Sequence, residues 1–177
     1  DAVHAGLTAP SDAHMGAWLR DIRGRVDGAA GANTLPVTDL LEREREASAR
    51  ALVERLFHAR GLRLLGSGAE GVSLTDGARV YKCIDTWKSR DGAGRCAWLG
   101  SLIGHWTDTR GLLPILELRV EHPRAVIVQP FEMSDPYQGG HAEGLVRLLR
   151  ECREHAIACR NLHPSNLRVV GNDVRLI

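Results

Sequence analysis

Apolar positions along the chain change their period part-way. Met15, Trp18, Leu19, Ile22 and Val26 recur at helical spacing after Pro10-Ser11-Asp12, a helix-start signal, and predict a short helix. Gly24, Gly28 and Gly31 thin it out before a linker at 29–36. Thr38 caps a second helix running to about Arg60, with Leu41, Ala51, Leu52 and Leu56 on one face, the charge run 42–46 in solvent and Gly61 as its stop. From Leu62 the period becomes two. Leu62 and Leu64, then Val72 and Leu74, predict strands either side of a glycine turn. Thr75-Asp76-Gly77 is a hairpin turn, and 79–84 is a third strand. That strand sets Val80 and Lys82 on one side and Tyr81 and Cys83 on the other. A polar loop at 88–94 leads to a helix over 95–106. Two strands follow near 113–120 and 125–131, joined by His122-Pro123-Arg124, and then a loop at 134–141. Residues 142–158 predict a helix whose stripe is Leu145, Leu148, Leu149, Cys152, Ala156 and Cys159. A short hairpin, 167–170 and 174–177, turns at Gly171-Asn172-Asp173. The order is an α+β pattern without internal repeat.

Three groups of residues carry candidate chemistry. The first is Gly66-Ser67-Gly68-Ala69-Glu70-Gly71. A dinucleotide-binding fingerprint needs strand, turn and helix, but here a strand follows the glycines. A glycine loop between two strands lets backbone N–H groups approach phosphate oxygens without a Cβ in the way. The second is Lys82, on the strand after that hairpin, where an ammonium reaches the α- and β-phosphates of a nucleotide under the loop. The basic residues number 23, of which only Lys82 and Lys88 are lysines. A lysine therefore falls on any stated position by chance about 1% of the time, and Lys82 is more telling than it would be in a lysine-rich chain. The third group is Cys159-Arg160-Asn161-Leu162-His163-Pro164-Ser165-Asn166-Leu167, between a helix and a hairpin.

With the third group the chain resembles the protein-kinase-like superfamily over about residues 62–177. Its catalytic loop has an Asp-Leu-x-Pro-x-Asn core in that place, and the His163-Pro164 variant is also similar to that of aminoglycoside and choline phosphotransferases. The resemblance implies a kinase-like N-lobe, a five-stranded antiparallel sheet plus helix, with the start of a helical C-lobe, preceded by N-terminal helices. It implies three parts: 1–36, a helix and linker; 37–131, a leading helix and the N-lobe; 132–177, the start of the C-lobe. It implies ATP and Mg²⁺ as cofactors. Gly66, Gly68 and Gly71 would form the phosphate loop, Lys82 would grip the α/β-phosphates, and Gln129-Pro130-Phe131-Glu132 would be the hinge, with Gln129 and Phe131 against the adenine. Lys82, Asn161 and Asn166 would be the catalytic set, Asn166 holding the Mg²⁺.

Three departures stand out against the family pattern. Asn161 stands where an active kinase has a catalytic Asp, and an amide cannot act as a base. The 95–106 helix has no acidic residue to pair with Lys82, leaving Asp91 or a Glu of the 39–60 helix as substitutes. The metal-binding Asp-x-Gly would begin immediately after Ile177. Two functions follow as expectations: a phosphotransferase moving the ATP γ-phosphate to a protein or small-molecule hydroxyl, or a pseudokinase that binds nucleotide or a partner and regulates attached domains.

Composition narrows the partners. A net charge of +1 excludes a globally basic nucleic-acid binder. Apolar runs such as 112–118 are too short for a bilayer, and no signal peptide is present. Four cysteines without a C-x-x-C pair need no disulfide framework, so a reduced, cytoplasmic setting is expected. The start at Asp1 without Met suggests a piece of a larger, multidomain protein. Cys152, His155, Cys159 and His163 are spaced as zinc ligands could be, but the simpler reading is buried thiols on an apolar stripe. Trp87, Trp98 and Trp106 are expected in the core.

Overall fold

The computed structural model describes residues 37–68, 70–86, 92–158 and 162–177. The helix expected at 15–26, with Trp87, Lys88, Asp91, Cys159 and Asn161, lies outside the described residues. The chain divides into two compact units, Asp1–Glu44 and Arg45–Ile177. The described part of the first is the opening of helix α1 (Val37–Phe57). The second unit holds everything below.

The second unit is built on one antiparallel sheet. Its strands are β1 (Arg63–Ser67), β2 (Gly71–Thr75), β3 (Arg79–Asp85), β4 (Glu117–Glu121) and β5 (Arg124–Pro130), in the order β1-β2-β3-β5-β4. β3 and β5 pair over seven residues, from Arg79↔Pro130 to Asp85↔Arg124. The excursion between β3 and β4 carries helix α2 (Gly92–Ser101).

Alternation along the central strands gives each face its own core. On one face Tyr81 and Cys83, with Val72, Leu74, Val126 and Val128, pack against Ala49, Leu52 and Val53 of α1. On the other, Ile84, Ala125 and Ile127 pack against Cys96 and Leu99 of α2, with Ile115. The apolar face of α1 is thus Ala49, Leu52 and Val53 with Leu56 and Phe57 beside them. The expected Leu41 and Ala51 are exposed. β1 is an edge strand with all five residues exposed, Leu64 included.

The β2–β3 hairpin is held by its turn residues. Asp76 accepts N–H bonds from Ala78 at 2.9 Å and Arg79 at 2.8 Å, and the Tyr81 hydroxyl at 2.8 Å. Burial opposes ionisation here, but those donors hold the Asp76 carboxyl below its usual range. Gly77 takes φ +96°, which the turn demands and L-residues rarely adopt.

After the sheet come β6 (Asp135–Pro136), α3 (Ala142–Glu154), a 3₁₀ turn (Pro164–Asn166), β7 (Leu167–Val170) and β8 (Asp173–Leu176). Leu148 and Cys152 of α3 pack with Leu112, Leu167 and Val174. Glu151 ties this layer to the approach to β4, accepting the N–H groups of Arg110 at 2.9 Å and Gly111 at 2.6 Å. Arg147 bonds Asp173 across the same contact.

Several boundaries differ from the periodicity reading, for backbone reasons. α1 stops at Phe57 because His58 turns left-handed at φ +53°, three residues before Gly61. α2 starts at Gly92 and stops at Ser101, short of Trp106, because Gly104 and Trp106 take positive φ and Ile103 bridges to Ile115. α3 stops at Glu154 because Ala156 takes φ +53°. Leu149, expected on its stripe, is exposed, since it sits about 100° around the helix from Leu148. The fourth strand begins at Glu117 because Pro114 interrupts the run from Leu113. Residues 135–136 form a strand inside the expected loop. Trp98 is 51% exposed and not core, while Trp106 is half-buried and touches two clusters.

Gly144 shows how closely α3 lies on the terminal hairpin. A Cβ there would sit 2.5 Å from the Asn172 carbonyl oxygen and 3.0 Å from the Val174 nitrogen. Gly144→Ala should therefore destabilise the fold by about 1–3 kcal/mol through overpacking, although helix propensity alone favours Ala by about 1 kcal/mol. Urea denaturation decides the sign.

Candidate functional site

β3 turns Val80 and Lys82 away from the α1 core, opposite Gln129 and Ile127 of β5. They face a cleft of about 1010 Å³, roofed by the β1–β2 loop and floored by the 3₁₀ turn and the β7–β8 hairpin. That volume is at the upper end of the range for small-molecule sites. Gly66, Gly68, Gly71, Lys82, Gln129, Phe131 and Asn166 all line it, brought together from distant parts of the chain. Asn161, the remaining expected site residue, lies outside the described residues.

The three glycines are not equivalent. A Cβ at Gly71 would collide with the Cys83 carbonyl, so packing alone demands glycine where β2 meets β3. A Cβ at Gly66 or Gly68 would meet nothing within 4 Å. Their bare backbone opens onto the cleft without a packing reason. The loop is closed by the Gly68 N–H on the Gly71 carbonyl at 2.9 Å. Arg45 of α1 donates to the Gly68 carbonyl at 2.6 Å and to Asp85 at 3.1 Å, fixing the loop from behind. Arg95 of α2 holds Glu70 at 2.8 Å from the other side.

Lys82 is half-buried, and no acidic side chain pairs with it among the described residues. Burial lowers its ammonium to about 8. Glu46 and Glu54 of α1 cannot serve it, because α1 packs against the opposite face of the sheet. Glu46 is already bonded to Arg50 at 2.6 Å. Asp91 lies outside the described residues. Next to Lys82 in sequence, Cys83 points into the core and burial pushes its thiol up to about 12, which leaves it protonated and inert.

At the far end of the cleft, Gln129 is buried and donates to the Leu113 carbonyl at 3.2 Å. That bond ties one N–H of its amide to the fold. The Phe131 N–H bonds the Ala78 carbonyl at 2.9 Å. Glu132 meets Arg175 of β8 at 3.0 Å, although the Glu132 Oε2 and Arg175 Nε atoms are buried without an aligned hydrogen bond.

Asn166 ends a turn pinned by its neighbours. His163 Nδ1 lies 2.9 Å from Ser165 Oγ, the Asn166 N–H bonds the His163 carbonyl at 2.8 Å, and the Ile177 N–H bonds the Asn166 carbonyl at 3.0 Å. Among the described residues, no group of three His, Cys, Asp or Glu is placed to hold a metal. Mg²⁺ wants near-octahedral oxygen ligands, usually including carboxylate. One amide oxygen at Asn166 does not make that site, so the described residues do not fit the ion. Of the four candidate zinc ligands, Cys152 is buried in the α3 core, His155 is exposed and His163 is turned to Ser165. Cys159 lies outside the described residues.

The architecture matches solved structures. The structure of the protein kinase Rad53, residues 1–466 in complex with AMP-PNP, aligns with a TM-score of 0.51 at 16% identity. The alignment covers 66% of this chain and 37% of that one, so this chain spans little more than a third of its length. The fold is kinase-like. The five-stranded antiparallel sheet with its helices is consistent with a kinase-like N-lobe. No family model matches the sequence, and no curated protein matches it. Among the described residues, no helix is long and apolar enough to cross a membrane.

Against that kinase-like frame, sequence reasoning missed the arginines of the cleft: Arg95 from α2, and Arg168 and Arg175, cross-strand partners on β7 and β8. Arg95 had a signal, as the lone charged residue of a helix expected to carry an acid. Arg168 and Arg175 had alternation along two short strands, which alone does not say which side faces a cleft.

Lys82 gives a test of the geometry. Its folded pKa, about 8, lies below the ordinary 10.5. Between those values the unfolded chain binds more protons than the folded one, so stability rises with pH across that window. Below pH 8 the cost of burying the charge is fully present. Lys82→Met should therefore stabilise the protein at pH 7 by roughly 1–3 kcal/mol. That gain should shrink by pH 10, as measured by urea denaturation at both pH values. An equal gain at both would show that burial does not perturb Lys82.

Proposed function

We propose that this protein binds ATP in the cleft and works as a nucleotide-binding, pseudokinase-type module of a larger, cytoplasmic protein. The observation that carries this reading is Lys82. A half-buried, desolvated ammonium with no acidic partner among the described residues faces a cleft whose roof is a bare glycine loop. A polyphosphate would supply the missing negative charge. Phosphate oxygens would approach the loop's backbone closely at Gly66 and Gly68, where no Cβ stands in the way. Adenine would lie toward residues 130–132. Since the Phe131 N–H is spent on Ala78, ladder alternation leaves the Pro130 carbonyl, on the other side of the strand, as the backbone group toward a base. Rad53, with the same fold, was solved with AMP-PNP, a nucleotide analogue.

A second reading is phosphoryl transfer to a protein or small-molecule hydroxyl. It is favoured by Asn166, which lines the cleft on a turn fixed by His163 and Ser165. In that reaction the acceptor oxygen attacks the γ-phosphorus, the β–γ bridging bond breaks, ADP leaves and the hydroxyl proton needs a base. Asn161 cannot take the proton, and α2 supplies Arg95 where catalysis uses a carboxylate to position the lysine.

Calorimetric titration of ATP, with and without Mg²⁺, tests the binding reading. Wild type should bind, and Lys82→Ala should weaken affinity at least tenfold, the cost of a charge-assisted hydrogen bond. No heat of binding under either condition would refute it. Turnover measured beside it separates the two readings. The pseudokinase reading expects no ATP-dependent transfer from wild type, with activity appearing, if at all, only in Asn161→Asp.

A further inference from the structure

Behind the glycine loop four side chains meet: Arg45, Ser48, Asp85 and Arg124. Arg45 Nη2 holds Asp85 Oδ2 at 3.1 Å, and Arg124 Nε holds Asp85 Oδ1 at 3.3 Å. Arg124 Nη1 donates to Ser48 Oγ at 2.7 Å. Arg45 Nη1 donates to the Gly68 carbonyl at 2.6 Å, and the Asp85 N–H bonds the Glu70 carbonyl at 3.1 Å. The loop is therefore tied to this cluster twice. Asp85 is its hub, with a side chain only 10% exposed. Ser48 differs, because it lies on the exposed surface of α1. Arg45 precedes it by three residues, so the two are neighbours on the helix surface. An exposed hydroxyl is thus linked, through Arg124 and Asp85, to the arginine that holds the glycine loop.

A phosphate ester on Ser48 would change that balance. It carries about −1.5 to −2 charge at neutral pH and three strong acceptor oxygens. It would stand between Arg124, already bonded to that oxygen, and Arg45, one helical turn away. A dianion attracts a guanidinium more strongly than a neutral carbonyl does. The contact given up most easily is the exposed one, Arg45 to Gly68, since both Asp85 contacts are partly buried. Arg43 and Arg45 lie five and three residues before Ser48, a cationic approach of the kind that kinases select by charge. We propose that Ser48 is a phosphorylation site for an arginine-directed serine kinase, and that its phosphate draws Arg45 off the Gly68 carbonyl and loosens the glycine loop. Ser48 Oγ attacks the γ-phosphorus of the kinase's ATP, the β–γ bridging bond breaks, ADP leaves and the hydroxyl proton passes to that kinase's base. The loop roofs the cleft, so loosening it lowers ATP affinity. That last consequence alone rests on the nucleotide-binding reading above.

The test has two arms on the full chain. In the first, the purified protein is incubated with ATP and an arginine-directed serine kinase, and the phosphorylated residue is located by peptide mass spectrometry. Ser48 should carry the phosphate, and Ser48→Ala should abolish it. A Ser48 left unmodified overturns the site. In the second, phosphoserine is placed at position 48 by genetic encoding, and amide hydrogen exchange is compared with the unmodified chain. Exchange over residues 66–71 should quicken several-fold, while that of β3 and β5 stays unchanged. Arg45→Ala, confirmed as folded by thermal melting, should quicken the same residues without phosphate, and phosphoserine should add nothing to it. Unchanged loop exchange in the phosphoprotein overturns the coupling through Arg45. Calorimetric titration with ATP should show several-fold weaker binding to the phosphoprotein. Quicker loop exchange with no ATP binding in either form supports the switch and counts against the nucleotide-binding reading instead.

Discussion

Everything in the second unit depends on the pairing of β3 with β5. Seven consecutive residue pairs fix the register of the two central strands, and side chains on a strand alternate strictly between faces. Tyr81 and Cys83 are therefore committed to the core under α1, and Val80 and Lys82 to the cleft. A slip of one residue would put Lys82 against Leu52 and Val53 and turn Tyr81 into the cleft. The partly buried Tyr81–Asp76 hydrogen bond opposes such a slip, because it anchors the strand to its own turn. The fold's largest apolar cluster and the half-buried Lys82 ammonium are thus set by the same register.

The same sheet separates two jobs. Its α1 face is a conventional apolar core, and Arg45 extends that helix's influence to the glycine loop through the Gly68 carbonyl. Its other face is core only where α2 covers it, at Ile84, Ala125 and Ile127. Beyond α2 the face stays open, and the open part is the cleft. Cys96 and Leu99 place α2, and with it Arg95, beside Glu70 of the glycine loop. The position of a cleft-lining charge therefore follows from two buried apolar contacts.

Much of this was legible in the sequence. Alternation in 79–84, the Thr75-Asp76-Gly77 turn and the helical stripe around Leu148 identified the sheet, its hairpin and the main helix of the lower layer. Motif order identified the kinase-like arrangement. Helix ends were less legible, because His58 and Ala156 stop their helices with left-handed backbone that their side chains do not announce. The core face of α1 was misread by one position, since Ala49 and Val53 are as apolar as Ala51 and only the sheet beneath decides between them. Trp98 shows the same limit: a large apolar ring at helical spacing ends exposed because α2 meets the sheet through Cys96 and Leu99.

Local order is what the sequence settled by itself: which segments build the five-stranded sheet and the terminal hairpin, where the hairpins turn, which side of β3 holds Lys82, and that a glycine loop precedes it. These follow from backbone preferences and period, which act over a few residues. Convergence was decided only by the tertiary structure. It set Arg95, Arg168 and Arg175 around one cleft, paired Glu70 and Glu132 with two of them, and left Lys82 without an acid among the described residues. Charge balance in a cleft is a sum over residues far apart in sequence, and no local pattern encodes it. Whether a lysine is a surface ammonium or a buried charge waiting for an anion depends on what the sheet, α2 and the hairpin place around it.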